Sequence, residues 1–358
     1  MRILTDFHHH ALAESLLLLF EDRYGADVYF PYGMEWFDSG TWNFERAWHG
    51  DKVAKQYLEG IWAGATDTGA GMVIRTDPRH RGRRHHGITY AEARQMRWDI
   101  VISSLPHNDE GMHRFAKETG AMFVVQVGNH MQDSAWHLAD AILSSSTLPG
   151  FTDRSKWARQ VEWQGKPTVI YHQEFSLDTF RVRHPHHADR REVASWVNCF
   201  PETPVYPAFR EFARDNAADF DFRVYGSYGS AEPDELAAGD VSKVDDVAEK
   251  MAQARIIWHE KSWSDGFGHV IHNAFAIGRP VIGVHRYYRD KLAGPLWIEG
   301  VTSFDVERHS REELLAIMRA LRDDDDFHAD VCTEAARTFR EVVNFDEEAR
   351  VIGQMLGL

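Results

Sequence analysis

Short apolar runs alternate with amphipathic stretches along nearly the whole of this chain, and that alternation leaves few folds open. Met1 to Phe7 is an apolar run ending in polar residues, Ala11 to Tyr24 has helical periodicity stopped by Gly25, and Ala26 to Tyr32 reads as a second strand. Trp98–Leu105, Ala121–Val127, Asp140–Ser145 and Pro167–His172 read as further strands, with a helix over Asp109–Thr119. The pattern pauses at Arg181–Arg191, where HPHH and a charged cluster suggest a linker. It restarts with strands at Ser195–Phe200, Phe222–Gly226, Arg255–His259 and Pro280–Val284, separated by helices over Pro207–Asn216, Val244–Ala254 and Phe267–Ile277. Helices near Arg311–Arg322, Ala329–Val342 and Asp346–Leu356 close the chain without further strands. This predicts an α/β protein with two mostly parallel sheets, and 358 residues suit two domains of about 150 each.

Composition excludes several classes. With 43% hydrophobic and 27% charged residues there is material for two cores, so disorder is excluded. The longest apolar run, Leu16–Phe20, falls far short of the roughly 20 residues a spanning helix needs. The start lacks the basic n-region and h-region of a signal peptide. Only Cys199 and Cys332 occur, which excludes a disulfide scaffold or a cysteine zinc site and suits a reducing compartment; the expected location is cytoplasmic. The net charge of −15 is uneven: residues 1–191 hold 22 Lys and Arg against 24 Asp and Glu, the remainder 18 against 31. The first half also holds 15 of the 21 His, and concentrates Arg75, Arg79, Arg81, Arg83 and Arg84 in one polar segment.

The stretch Ser262–Val281, SWSDGFGHVIHNAFAIGRPV, is the most informative. Gly266, Phe267 and Gly268 form a turn into a helix whose first amides and positive dipole end make an anion site suited to a pyrophosphate. Asp265 stands at the expected N-cap, and Asn273 lies about two turns further along the same helix. Gly278 ends the helix before a buried strand. Taken alone, a cap and a tight turn explain these residues equally well.

The longer pattern resembles the donor-site signature of GT-B glycosyltransferases, in particular the retaining family-four-like group: Ser, two residues, Glu-Gly-Phe-Gly, four residues, Glu-Ala, then Gly-x-Pro-Val. Ser262, Gly266, Phe267, Gly268, Ala274, Ala276, Gly278, Pro280 and Val281 match in register. The resemblance implies two Rossmann-like domains facing across a cleft with a helical C-terminal tail, a nucleotide-sugar donor, UDP-linked before others, and no required metal or cofactor. It gives the donor-sugar contact to Asp265 and the ribose contact to Asn273, which replace the family's two Glu with shorter reach and with lost charge. Gly266, Phe267, Gly268 and His269 would line the diphosphate. The family's glycine-rich turn with Arg and Lys is replaced by WVNCFPETPVYPAF, with no basic residue before Arg210; Lys261, Lys243 and His269 are the candidate substitutes.

In the first half, FVVQVGNH places His130 at the end of a strand, where family members carry a His near the transferred sugar; Asp133 follows as a base or a cap. His8, His9 and His10 leave the first strand at its carboxyl end, where open α/β sheets bind ligands, but consecutive His cannot converge on one metal. Tyr32–His49, with Trp36, Trp42 and Trp48, offers either a stacking platform or core. The Arg75–His86 segment reads as an exposed loop able to follow phosphates through Arg79, Arg81, Arg83 and Arg84. MRILTDFHHHALAESLLLLFEDRYG with a GMEWF segment resembles the start of bacteriophage-encoded glycosyltransferases, some of which modify DNA bases. That implies an acceptor hydroxyl on a 5-hydroxymethylated pyrimidine in DNA, in a bacterium or phage-infected host. The expected domains are 1–185 for the acceptor and 192–344 for the nucleotide sugar, with 345–358 crossing back. A small-molecule or polysaccharide acceptor, and a degenerate sugar-nucleotide-binding subunit, remain open alternatives.

Overall fold

The computed structural model describes residues 1–6, 10–43, 55–56, 58–128, 135–146, 160–185, 188–261 and 266–358. The alternating runs become two sheets in two compact units, Met1–Phe175 with Asn344–Leu358, and Ser176–Val343. Numbered along the chain, the strands of the first unit are β1 (Arg2–Thr5), β2 (Asp27–Pro31), β3 (Thr66–Gly69), β4 (Met72–Asp77), β5 (Arg83–Ile88), β6 (Ile100–Ser103), β7 (Met122–Val127), β8 (Ala141–Ser144), β9 (Gln160–Trp163) and β10 (Lys166–Ile170). They lie in the order β3-β4-β5-β2-β1-β6-β7-β8-β10-β9, parallel from β5 to β10 and closed at each edge by antiparallel pairing. Every residue of β6 and β8 is buried, as a sheet covered on both faces requires. Helix α1 (His10–Leu17) follows β1 and runs on as a wide turn to Arg23, while α2 (Pro106–Thr119) follows β6.

The second unit is a six-stranded, wholly parallel sheet ordered β13-β12-β11-β14-β15-β16. Its strands are β11 (Asp189–Ser195), β12 (Asp221–Tyr225), β13 (Ala237–Gly239), β14 (Ala254–His259), β15 (Val281–Gly283) and β16 (Ser303–Asp305). The helices are α3 (Tyr206–Asp215), α4 (Val244–Gln253), α5 (His269–Ile277), α6 (Arg311–Asp323) and α7 (Asp325–Val342). Phe200, Phe209, Phe212, Phe222 and Trp258 pack together beneath α3 and anchor it to the sheet. The last helix, α8 (Phe345–Leu356), is capped by the Asn344 side chain and belongs to the first unit, against β8, β9 and β10. Both oxygens of buried Glu348 are taken by His172, at 2.8 Å from its amide and 2.5 Å from its Nδ1.

Several expectations need correction. The Arg75–His86 segment is not a loop but the paired strands β4 and β5 around a one-turn 3-10 helix at Pro78–His80. Its polar residues face one another: Asp77, fully buried, lies 3.3 Å from His10 Nδ1 and 3.6 Å from the Arg75 guanidinium. The strand expected at Ser195–Phe200 is Asp189–Ser195, hidden in sequence by Asp189, Arg190 and Arg191 and starting within the last residues of the expected linker. The short β16 went unread. At the junction of α6 and α7, Asp324 caps α7 and Asp325 pairs with Arg190 and Arg255. Among the described residues no helix is long and apolar enough to cross a membrane, and no group of three or more His, Cys, Asp or Glu could hold a metal.

Candidate functional site

In a parallel sheet the loops leaving the carboxyl ends of the strands gather at one edge, and ligands bind there. In the second unit, β14, β15 and β16 end in register, His259 beside Gly283 and Gly283 beside Asp305. From this edge α5 departs. Its N-cap is Gly268, not Asp265: the chain takes φ +83° there, which a side chain would resist, and the amides of Ile271 and His272 both return to the Gly268 carbonyl. Phe267 is buried and stacks on His272 at 4.0 Å and 10°, while His272 Nδ1 donates to the same carbonyl. Phe267 therefore supports the turn from beneath. The amino end of α5 is left at the edge with the geometry that receives an anion.

Four polar atoms around this edge are buried and have no hydrogen-bond partner among the described residues: Ser195 Oγ and Trp196 Nε1 at the end of β11, Asn273 Oδ1 on α5, and His285 Nε2 after β15. Buried polar groups are ordinarily paired, so their concentration at the edge where α5 begins marks a place shaped for a polar ligand. Trp196 is held by stacking on Tyr225 at 4.9 Å and 17°. The segment after β11 carries no Lys or Arg, and Arg210, the first basic residue beyond it, is committed to Asp234 and Glu235 at 2.9 and 2.6 Å. Lys261 and His269 are half-buried at the carboxyl edge, whereas Lys243 is exposed at the start of α4.

In the first unit the carboxyl ends of β1 and β6 bring together two buried carboxylates that sequence reasoning missed. Asp6 accepts from the Ser104 amide and Asn108 Nδ2, both at 2.8 Å; Asp109 accepts from Ser103 Oγ at 2.6 Å and the Ala135 amide at 2.8 Å. Burial pushes Asp6 up to about 6 and Asp109 up to about 7, against the pull of those hydrogen bonds. The signal available in sequence was an acid directly after a strand and another in the first turn of the next helix.

The acceptor-side candidates separate. Trp36 is wholly buried, donating from Nε1 to the Ile88 carbonyl and packing on Tyr90 and Phe115, so it is core and offers no stacking face. Arg83 is consumed by Glu14, Glu21 and Asp22 at 3.1, 3.5 and 2.5 Å. Arg79, Arg81 and Arg84 are exposed, but β5 runs parallel to β2, so this turn lies where the parallel strands begin, away from their carboxyl ends. His8, His9, His130, Asp133 and Asp265 lie outside the described residues.

Two doubly covered α/β units, the first completed by the last helix of the chain, define the GT-B fold of glycosyltransferases. Among solved structures, HepE from Anabaena in complex with UDP and glucose matches with a TM-score of 0.63 at 13% identity, over 100% of this chain and 99% of that one. An α-glucosyltransferase in complex with UDP-glucose and DNA containing an abasic site matches at 0.63 and 11%, over 100% of both chains, and TarM at 0.61 and 9%, over 100% and 99%. No protein-family model and no curated protein matches the sequence.

Proposed function

We propose that this chain is a glycosyltransferase that moves a sugar from a UDP-sugar to an acceptor hydroxyl, the second unit binding the nucleotide sugar and the first the acceptor. The observation that carries the reading is the amino end of α5, capped by Gly268 at the carboxyl edge of a parallel sheet with Asn273 Oδ1 left unpaired on its second turn. A diphosphate leaving group needs charge stabilisation where its negative charge grows, and a helix terminus supplies that without reorganising. Asn273 Oδ1 would accept a hydrogen bond from a ribose hydroxyl, and the family resemblance assigns Asp265 to the donor sugar and His130 to the reacting centre. The reading includes retention of configuration and no metal, and nominates no covalent nucleophile.

The acceptor in this reading is a 5-hydroxymethylated pyrimidine in DNA. Supporting it are the N-terminal resemblance and a matched α-glucosyltransferase structure that holds UDP and a 13-mer DNA containing a HMU base, at 11% identity and a TM-score of 0.62. The target base must leave the stack for its hydroxyl to reach the sugar. A second reading, a sugar-nucleotide-binding subunit without turnover, is favoured by the absence of a basic pair after β11. Nucleoside mass spectrometry of hydroxymethylcytosine- and hydroxymethyluracil-containing DNA, after incubation with a panel of UDP-sugars, decides among these. A hexose or pentose increment supports the DNA reading. UDP release without an increment overturns the DNA acceptor alone, and neither product nor release overturns the transferase.

A further inference from the structure

The turn after β11 has no cation for a diphosphate, yet the helix terminus alone leaves much of two negative charges uncompensated. The carboxyl edge of the second unit holds a group arranged to supply one. His285 stands two residues beyond the end of β15, on the strand next to β14, from which the chain leads into α5. Its backbone amide is 3.5 Å from Asp305 Oδ1, and its ring lies edge-on to Trp297 at 4.6 Å. Its Nδ1 is 3.6 Å from Glu299 Oε2. Glu299 is itself fixed: Oε2 accepts the Asp305 amide at 2.9 Å, and Oε1 is 2.7 Å from His309 Nε2. A carboxylate held in this way orients the imidazole through Nδ1 and leaves Nε2 as the nitrogen open to a ligand. Nε2 is buried and has no partner among the described residues.

We propose that His285, oriented by Glu299, is the residue of this chain that donates from Nε2 to the donor diphosphate, in place of the missing basic pair. The assignment rests on the donor-binding reading above. It makes the grip conditional on a proton, unlike one built from Arg or Lys. Without an anion, burial holds His285 below the ordinary value for an imidazole, although Asp305 and Glu299 pull it up while Arg308 and His309 push it down. On its own segment Arg286 is turned to Glu307 at 3.1 Å. A diphosphate arriving at Nε2 favours the charged ring, so binding above neutral pH takes a proton from solvent.

The test is calorimetric titration of the full chain with UDP at pH 6, 7 and 8, in two buffers of different ionisation heat. The wild type is expected to take up a proton on binding at pH 7 to 8 and to bind more weakly as pH rises, by up to about tenfold per unit. His285→Gln should bind UDP roughly tenfold or more weakly at pH 6, as loss of a charge-assisted hydrogen bond predicts, with the excess uptake gone. Glu299→Gln keeps the ring and should reduce the uptake, which separates orientation from loss of fold; melting curves of both variants accompany the titrations. Wild-type affinity and uptake in His285→Gln overturn the assignment and leave the donor reading standing. A wild type that binds no UDP overturns both.

Discussion

Glu348→Ala removes the carboxylate that fastens the last helix to the first unit. Glu348 is 2% exposed and His172 1%, so neither side has water to turn to. Both Glu348 oxygens are used by His172, one by the main-chain amide and one by Nδ1. Truncation removes the carboxylate that two buried donors use. Taking a buried acceptor away from two donors costs about 1–3 kcal/mol for each, so about 3–5 kcal/mol in all is expected. For a unit of this size 1 kcal/mol moves Tm by about 2–4 °C, so a loss of roughly 10–15 °C is expected. Glu348→Gln keeps one acceptor but turns an amide N–H2 toward the other donor, and about half the cost should remain. Thermal and urea unfolding measure the loss, and hydrogen exchange in residues 166–175 and 345–358 assigns it to the first unit. A cost below about 1 kcal/mol for the Ala variant, or equal costs for Ala and Gln, would refute the reasoning.

Asp6 and Asp109 titrate above the ordinary 3.8, at about 6 and about 7, so the folded protein keeps protons that the unfolded chain has shed. Their contribution is therefore most favourable near pH 4, declines as pH rises to about 7 and is flat beyond. The stability of Asp109→Asn relative to wild type should improve by roughly 3 kcal/mol between pH 5 and 8, and a flat difference would contradict the burial argument. Gly278→Ala places a Cβ 2.9 Å from the Cys332 carbonyl at φ +80°, and should cost about 2–4 kcal/mol in urea unfolding; under 1 kcal/mol would mean that α7 yields. Arg83→Ala strands Glu14 and Glu21, both pushed up to about 7 by burial, and should lower Tm measurably. Arg79→Ala with Arg84→Ala should leave Tm and the salt dependence of DNA binding unchanged, because this turn lies at the amino ends of the parallel strands, and a flattened slope would return it to the acceptor surface.

Much of the architecture was legible because its strands are apolar runs: β6, β7, β8 and β14 are buried nearly throughout and sit where the runs fall. The failures came where polar residues pair with one another. Arg75, Asp77 and His85 look exposed as letters, but they are buried as a mutually compensating set, and composition cannot show which charges will meet. Arg190 hid the start of β11 because its partner, Asp325, is 135 residues away. At the site, the turn at Gly266–Gly268 and the helix after it were readable because glycine and helical spacing are local properties. Asp6, Asp109 and the His285–Glu299 pair were not, since each depends on partners from other strands. Trp36, open between platform and core in sequence because it stands among glycines and acids, is core.

The first unit is interrupted by the second. The chain leaves after Phe175 and returns at Asn344, and Phe175 and Phe345 meet edge-on at 5.4 Å, while Arg23 reaches Glu174 and Asp346, each at 2.7 Å. The flank of β8 and β10 that α8 covers is therefore bare until residues 344–358 have left the ribosome, whereas residues 176–343 are contiguous and complete before them. Synthesis thus reverses the usual amino-to-carboxyl order of domain maturation: the half made first is the half finished last. A proteolytic cut that removes residues 344–358 would strike the first unit and spare residues 176–343, to which they are joined in sequence.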